Sequence, residues 1–151
     1  MALRMAVWIV TGVLAWGLVP APVQAEEQPA GYIKTVSGAV TIVRGGTAMP
    51  ARPGAAVYEN DGLRTGADGR LGVTLKDDTR VSLAANSEID LSEFKFSPAE
   101  GQLGLVMKLL RGVAAFVTGR IGELRPDAVR IETPATVVGV RGTHFVIEAG
   151  P

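Results

Sequence analysis

Between Leu71 and Leu91 apolar side chains recur at every second position, interrupted only by turn residues. Leu71, Val73 and Leu75 alternate with Gly72, Thr74 and Lys76. Asp77-Asp78-Thr79 turns the chain, and Val81 and Leu83 alternate with Arg80, Ser82 and Ala84. That period puts all apolar side chains on one face of an extended strand and none on a helical stripe, so it predicts a hairpin. Asn86-Ser87 is a further turn, and Ile89 and Leu91 resume the pattern against Glu88, Asp90 and Ser92. Strict alternation would then leave Phe94 and Phe96 on the polar side, so a bulge near Ser92-Glu93 is expected to bring them inside.

The same grammar runs through the rest of the chain. Tyr32–Val36 and Ala39–Arg44 read as short strands around Ser37-Gly38, and Ala56–Tyr58 and Leu63–Thr65 as further extended pieces. Residues 47–54, with Pro50 and Pro53, read as loop. Ser97-Pro98-Ala99-Glu100 has the form of a capping box. Gly101 and Gly104 each cost a helix about 1 kcal/mol, so at most one helical turn is expected before a strand with Leu105, Met107 and Leu109 on one face. Arg111-Gly112 reads as a corner leading into Val113–Thr118, and residues 119–126 as a polar loop. Gly-plus-apolar starts recur without constant spacing, which excludes a fixed-period repeat. The expected fold is all-β: one domain of short strands, rolled or two-layered, in the manner of a solenoid or sandwich.

The closing stretch, Val129 to Glu148, holds two β-rich runs around Gly139-Val140-Arg141-Gly142-Thr143. Val129 and Ile131 share a face, Pro134 ends regular pairing, and Phe145 and Ile147 point opposite to His144, Val146 and Glu148. Arg141 has two readings. In the favoured one its guanidinium fork ties diverging strands to a carboxylate or to free carbonyls, so that Arg141→Ala lowers the melting temperature. In the other it is a binding-surface residue beside Thr143 and His144.

The chain opens with Arg4, an apolar run from Met5 to Val19, and Val23-Gln24-Ala25 at the end, the pattern of a signal peptide cleaved after Ala25. The apolar run is short of the roughly 20 residues a membrane helix needs. The expected organisation is a signal peptide over 1–25, a flexible leader over 26–34 and one domain over 35–148, exported and carrying no transmembrane span. Losing Arg4 with the signal peptide leaves 14 basic against 15 acidic residues. That near balance speaks against nucleic acid, which needs clustered positive charge.

Catalytic chemistry finds little footing. His144 is the single histidine and there is no cysteine, so neither the usual zinc ligand set nor a thiol nucleophile is available. No nucleophile-elbow pattern accompanies the serines. Glu88 and Asp90 share a strand face at a spacing tolerable for glycoside hydrolysis, yet such pairs are ordinarily the solvated side of a strand. No enzyme activity, cofactor or metal is expected.

The ordered series Gly38-Ala39-Val40, Arg44-Gly45, Asp61-Gly62-Leu63-Arg64-Thr65-Gly66, Leu71–Asp78, Val81-Ser82-Leu83, Asn86-Ser87 and Leu109–Val113 resembles the FecR domain. The resemblance closes on Ile131-Glu132-Thr133-Pro134-Ala135 and Val140-Arg141-Gly142-Thr143-His144-Phe145, and covers about Thr35 to Ile147. It implies an all-β periplasmic domain of iron-uptake regulators that works through protein contacts and has no catalytic residues. In those regulators a cytoplasmic anti-sigma segment and a membrane span precede the domain. Residues 1–25 are too short for such a bundle, so a stand-alone exported form is expected, with an envelope protein as partner. The candidate structural and interaction residues are Arg111, Gly112, Pro134, Gly139, Arg141, Gly142, Thr143, His144 and Phe145. A glycan- or peptidoglycan-binding module is the alternative, weakened by the few aromatic residues that remain after the signal peptide, which takes both tryptophans: Tyr32, Tyr58, Phe94, Phe96, Phe116 and Phe145.

Overall fold

A computed structural model of the chain describes residues 19–22 and 27–150. Apart from residues 19–22, the expected signal peptide and its cleavage point after Ala25 lie outside the described residues. No helix among the described residues is long and apolar enough to cross a membrane.

Among the described residues, twelve strands form one sheet that curls around a single core. They are β1 (Gly31–Ser37), β2 (Val40–Arg44), β3 (Thr47–Pro50), β4 (Ala56–Val57), β5 (Gly62–Thr65) and β6 (Arg70–Leu75). Then come β7 (Arg80–Leu83), β8 (Glu88–Ser97), β9 (Gln102–Val117), β10 (Val129–Glu132), β11 (Val137–Gly139) and β12 (His144–Ala149), with one short helix, α1 (Arg120–Leu124), between β9 and β10. The all-β expectation holds, in its rolled form. One 3-10 turn, Pro98–Glu100, is all that the capping-box pattern produces before strand resumes.

The hub is β9. Residues 102–111 pair antiparallel with β8, and residues 114–117 with β7. On its other side β10 runs parallel to residues 105–108 and β12 antiparallel to residues 112–117. The closing stretch of the chain thus lies along β9 on both sides of its bend. Two bulges keep the apolar faces aligned with the core. The register between β8 and β9 shifts between Leu91 and Glu93, which moves the inward set from Ile89 and Leu91 to Phe94 and Phe96, as the alternation required. A second shift beside Glu88 leaves Leu110 unpaired, and the buried set on β9 passes from Leu105, Met107 and Leu109 to Ala114 and Phe116.

Three local expectations are corrected. Residues 47–50 form β3, not loop; Pro50 is tolerated because β3 pairs only with β2 and is an edge strand. The sheet starts at Gly31, inside the segment expected to be leader, with Ala30 and Ile33 buried. Residues 120–124 form α1 and bury Ile121, where a polar loop was expected.

Candidate functional site

Six of the nine expected site residues fall into two places. Arg111 and Gly112 sit at the bend of β9. Gly139, Arg141, Gly142 and Thr143 line an open groove of about 1120 Å³ with Thr118, Glu123, Asp127, Arg130 and Val137. Pro134 is exposed in the turn between β10 and β11, His144 is exposed at the start of β12, and neither lines the groove.

One wall of the groove is α1, fixed by a residue distant in sequence. Asp77 lies fully buried in the β6–β7 turn. Its carboxylate accepts the Thr79 amide (3.1 Å), the Thr79 hydroxyl (2.7 Å) and the Ile121 amide (3.2 Å), and its carbonyl accepts the Arg120 amide (2.7 Å). The first turn of α1 thus finds acceptors for amides that have no partner within the helix. Gly119 is needed at this junction, because a Cβ there would strike the Asp77 carbonyl and the Thr79 amide. The other wall is the β11–β12 loop. It is tied to the end of β9 where the Thr118 amide donates to the Thr143 carbonyl and the Thr118 hydroxyl to the Gly142 carbonyl, both at 2.9 Å. Val140 is buried beneath it. Phe145 anchors the strand that follows by stacking on Phe116, ring centroids 4.9 Å apart, a contact worth about 1 kcal/mol beyond its burial.

The groove carries both charges: Glu123 and Asp127 come from the α1 side, Arg130 and Arg141 from the strand side. Arg130 is paired with Glu132 at 3.2 Å. Arg141 is exposed and has no ion pair or hydrogen bond from its guanidinium among the described residues. The favoured reading of Arg141 as a fork tying strands together is therefore corrected. The fork exists, but at Arg44: its Nε and Nη2 meet the two oxygens of buried Asp61 at 2.9 and 2.7 Å, and Nη2 also donates to the Ala56 carbonyl. These bonds to Asp61 raise the Arg44 pKa above the usual guanidinium value, against the opposing effect of burial.

At the β9 bend, Gly112 adopts φ +87°, and a Cβ there would strike Ser87. Ser87 is fully buried; its hydroxyl accepts the Val113 amide at 3.0 Å, and its amide donates to the Thr65 hydroxyl. Arg111 lies 3.6 Å from Glu88, which Arg64 also holds at 2.9 Å. Glu88 is thus clamped between two arginines. Burial, and after it the Glu88 charge, raises the Asp90 pKa, while Arg64 and Lys108 oppose the rise. A carboxylate so engaged is a poor partner for acid-base chemistry. No group of three His, Cys, Asp or Glu among the described residues is placed to hold a metal ion.

Glu123, Asp127 and Val137 escaped the sequence reading. A five-residue helix is too short to show a periodic apolar stripe, and its cap comes from a hairpin more than forty residues earlier.

The pattern of the FecR protein family matches residues 61–151, from the residue before β5 to the end of the chain. The strands β1 to β4 lie ahead of the matched stretch but are built into the same sheet. No curated protein and no solved structure matches the chain. With more than half of its residues matched, and with the all-β fold that the resemblance implied, the chain belongs to the FecR family.

Proposed function

We propose that this chain is an exported, non-catalytic interaction module of envelope signalling that receives a protein partner in the groove between α1 and the β11–β12 loop. Family membership supplies the regulatory role. The partner site rests on one observation: Arg141 reaches the groove with its guanidinium uncommitted, opposite Glu123 and Asp127 and beside the exposed Val137. An uncommitted arginine fork suits a carboxylate on a partner, and the acidic wall suits a basic side chain, so an extended segment carrying both signs fits best. No aromatic ring lines the groove among the described residues, which disfavours sugar stacking and hence the glycan-binding alternative.

The test is a pull-down from envelope extracts with the wild-type chain and with Arg141→Ala, beside sedimentation with purified peptidoglycan. The expected result is a captured protein that is lost, by about tenfold or more, in the variant, as removal of a desolvated charge contact predicts. Equal capture by both proteins would remove the groove from consideration, and sedimentation with bare glycan would replace the reading by the glycan one. Export is tested by the mature N-terminus, expected at Glu26.

A further inference from the structure

β12 is an edge strand, paired with β9 and with no other strand among the described residues. Its register fixes which backbone groups are already used. The Thr118 amide donates to the Thr143 carbonyl, and from there His144 lies opposite Val117, Phe145 opposite Phe116 and Ile147 opposite Ala114. Hydrogen-bonded and non-bonded pairs alternate along an antiparallel ladder. Phe145 and Ile147 therefore turn their amides and carbonyls to β9, while His144, Val146 and Glu148 turn theirs to the open edge. The side chains of those three are exposed, Val146 by 67%. The strand contains no proline, lysine or bulge that would blunt the edge.

This parity restricts what can be added. An antiparallel newcomer must set outward-bonding residues against His144, Val146 and Glu148. A second β12 does so about a two-fold axis through Val146. Val146 then meets Val146, His144 meets Glu148 twice on the exposed face, and Phe145 meets Ile147 twice on the other. Every cross-strand pair is complementary, apolar with apolar and imidazole with carboxylate. Slipping to a two-fold through Ile147 keeps the parity but sets Glu148 against Val146 and loses both His–Glu pairs.

We propose that two copies of this chain associate through their β12 strands in this register. The run β4-β1-β6-β7-β9-β12 then continues into its copy as one sheet. The contact is isologous and closed, so it stops at a dimer. It does not depend on the groove, and Arg141→Ala is expected to leave it unchanged.

Sedimentation equilibrium on the purified chain is expected to show a reversible dimer with a dissociation constant on the order of 10 µM, as suits an interface at the small end of the range. Glu148→Arg places Arg against His144 and is expected to weaken the dimer about tenfold, and the exchange His144→Glu with Glu148→His to restore it. Val146→Pro removes the central outward donor without touching the β9 ladder, and is expected to be folded and monomeric. Because the chain has no cysteine, Val146→Cys gives an independent reading. A short bis-maleimide is expected to link two copies through it, but not through Ala48→Cys on β3 at the far edge. A monomer up to about 100 µM would overturn the proposal, being beyond the weakest specific pairing expected here. So would a dimer that survives both Glu148→Arg and Val146→Pro, or equal linking through position 48. A monomer that instead takes up a strand from another protein would assign the edge to that protein and count against self-pairing.

Discussion

Arg44 and Arg141 are each followed by glycine, and each stands where a strand ends or turns, yet among the described residues only Arg44 of the two has a carboxylate to hold. Asp61 is 1% exposed, so truncating Arg44 would leave a buried charge with the Tyr58 amide as its remaining donor. Arg44→Ala is expected to destabilise the fold by about 2 kcal/mol, because an unpaired buried carboxylate costs more than the pair itself contributes. Arg141→Ala, on an exposed loop, is expected to fall within about 0.5 kcal/mol of wild type. Urea unfolding of the two variants side by side checks both; comparable losses would mean that Arg141 holds a structural contact after all. Asp90 behaves differently. Its raised pKa means that the folded chain holds the proton more tightly than the unfolded chain does. Its contribution to stability is then most favourable in acid and is lost as pH rises from the ordinary carboxylate value through the raised one. Asp90→Asn should raise the melting temperature at pH 7 by a degree or so and leave it nearly unchanged at pH 3, since solvent reaches much of this group. A drop at pH 7 would show that the Asp90 charge is favourably paired with Arg64 or Lys108.

Among the elements, β9 carries the decisive joint. At Gly112 its partner changes from β8 to β7, and the buried Ser87 hydroxyl bonds the amide of the next residue, Val113. Gly112→Ala meets two costs at once: a left-handed backbone for a residue with a Cβ, and a collision with Ser87. About 3 kcal/mol is expected from strain and overpacking together, read as a lower urea midpoint with an unchanged slope. A loss below about 0.5 kcal/mol would show that the bend can relax. The elements themselves were largely legible, for a physical reason. A half-buried strand writes its geometry into every second residue, so Leu71–Leu83 and Ile89–Leu91 could be read directly, and the misplaced phenylalanines betrayed the bulge after Leu91. What could not be read was pairing across long separations. Nothing in residues 119–126 reports that Asp77 will cap a helix there, and nothing near Gly45 reports that Arg44 will meet Asp61 while Arg141 meets no acid. Pro50 misled because proline argues against a strand only where its missing donor is needed. The same limit applies to the candidate site: the Gly139–Thr143 loop was visible as an irregularity, whereas the acidic wall facing it depends on where α1 docks.

At the scale of the whole molecule, the sheet is a curl held at one strand. Four strands, β7, β8, β10 and β12, bond directly to β9. Strands β3 and β11 each have a single neighbour among the described residues, and neither bonds to β9. Opening β9 disconnects the two arms of the sheet, so its amides should exchange only when the whole domain unfolds. The outer strands can detach at the cost of one short ladder. Hydrogen exchange followed by mass spectrometry should therefore place the slowest amides in residues 105–109 and 113–116, at the global unfolding free energy. Residues 47–49 and 137–139 should exchange at least about tenfold faster, corresponding to a local opening some 1.4 kcal/mol or more below the global one. The groove wall belongs to that less protected margin, which suits a surface that must adjust to a partner. Equal protection of β9 and β11 would mean that the closing hairpin is as firmly built in as the hub. The groove would then be a rigid receptacle, and a partner would have to match it as it stands.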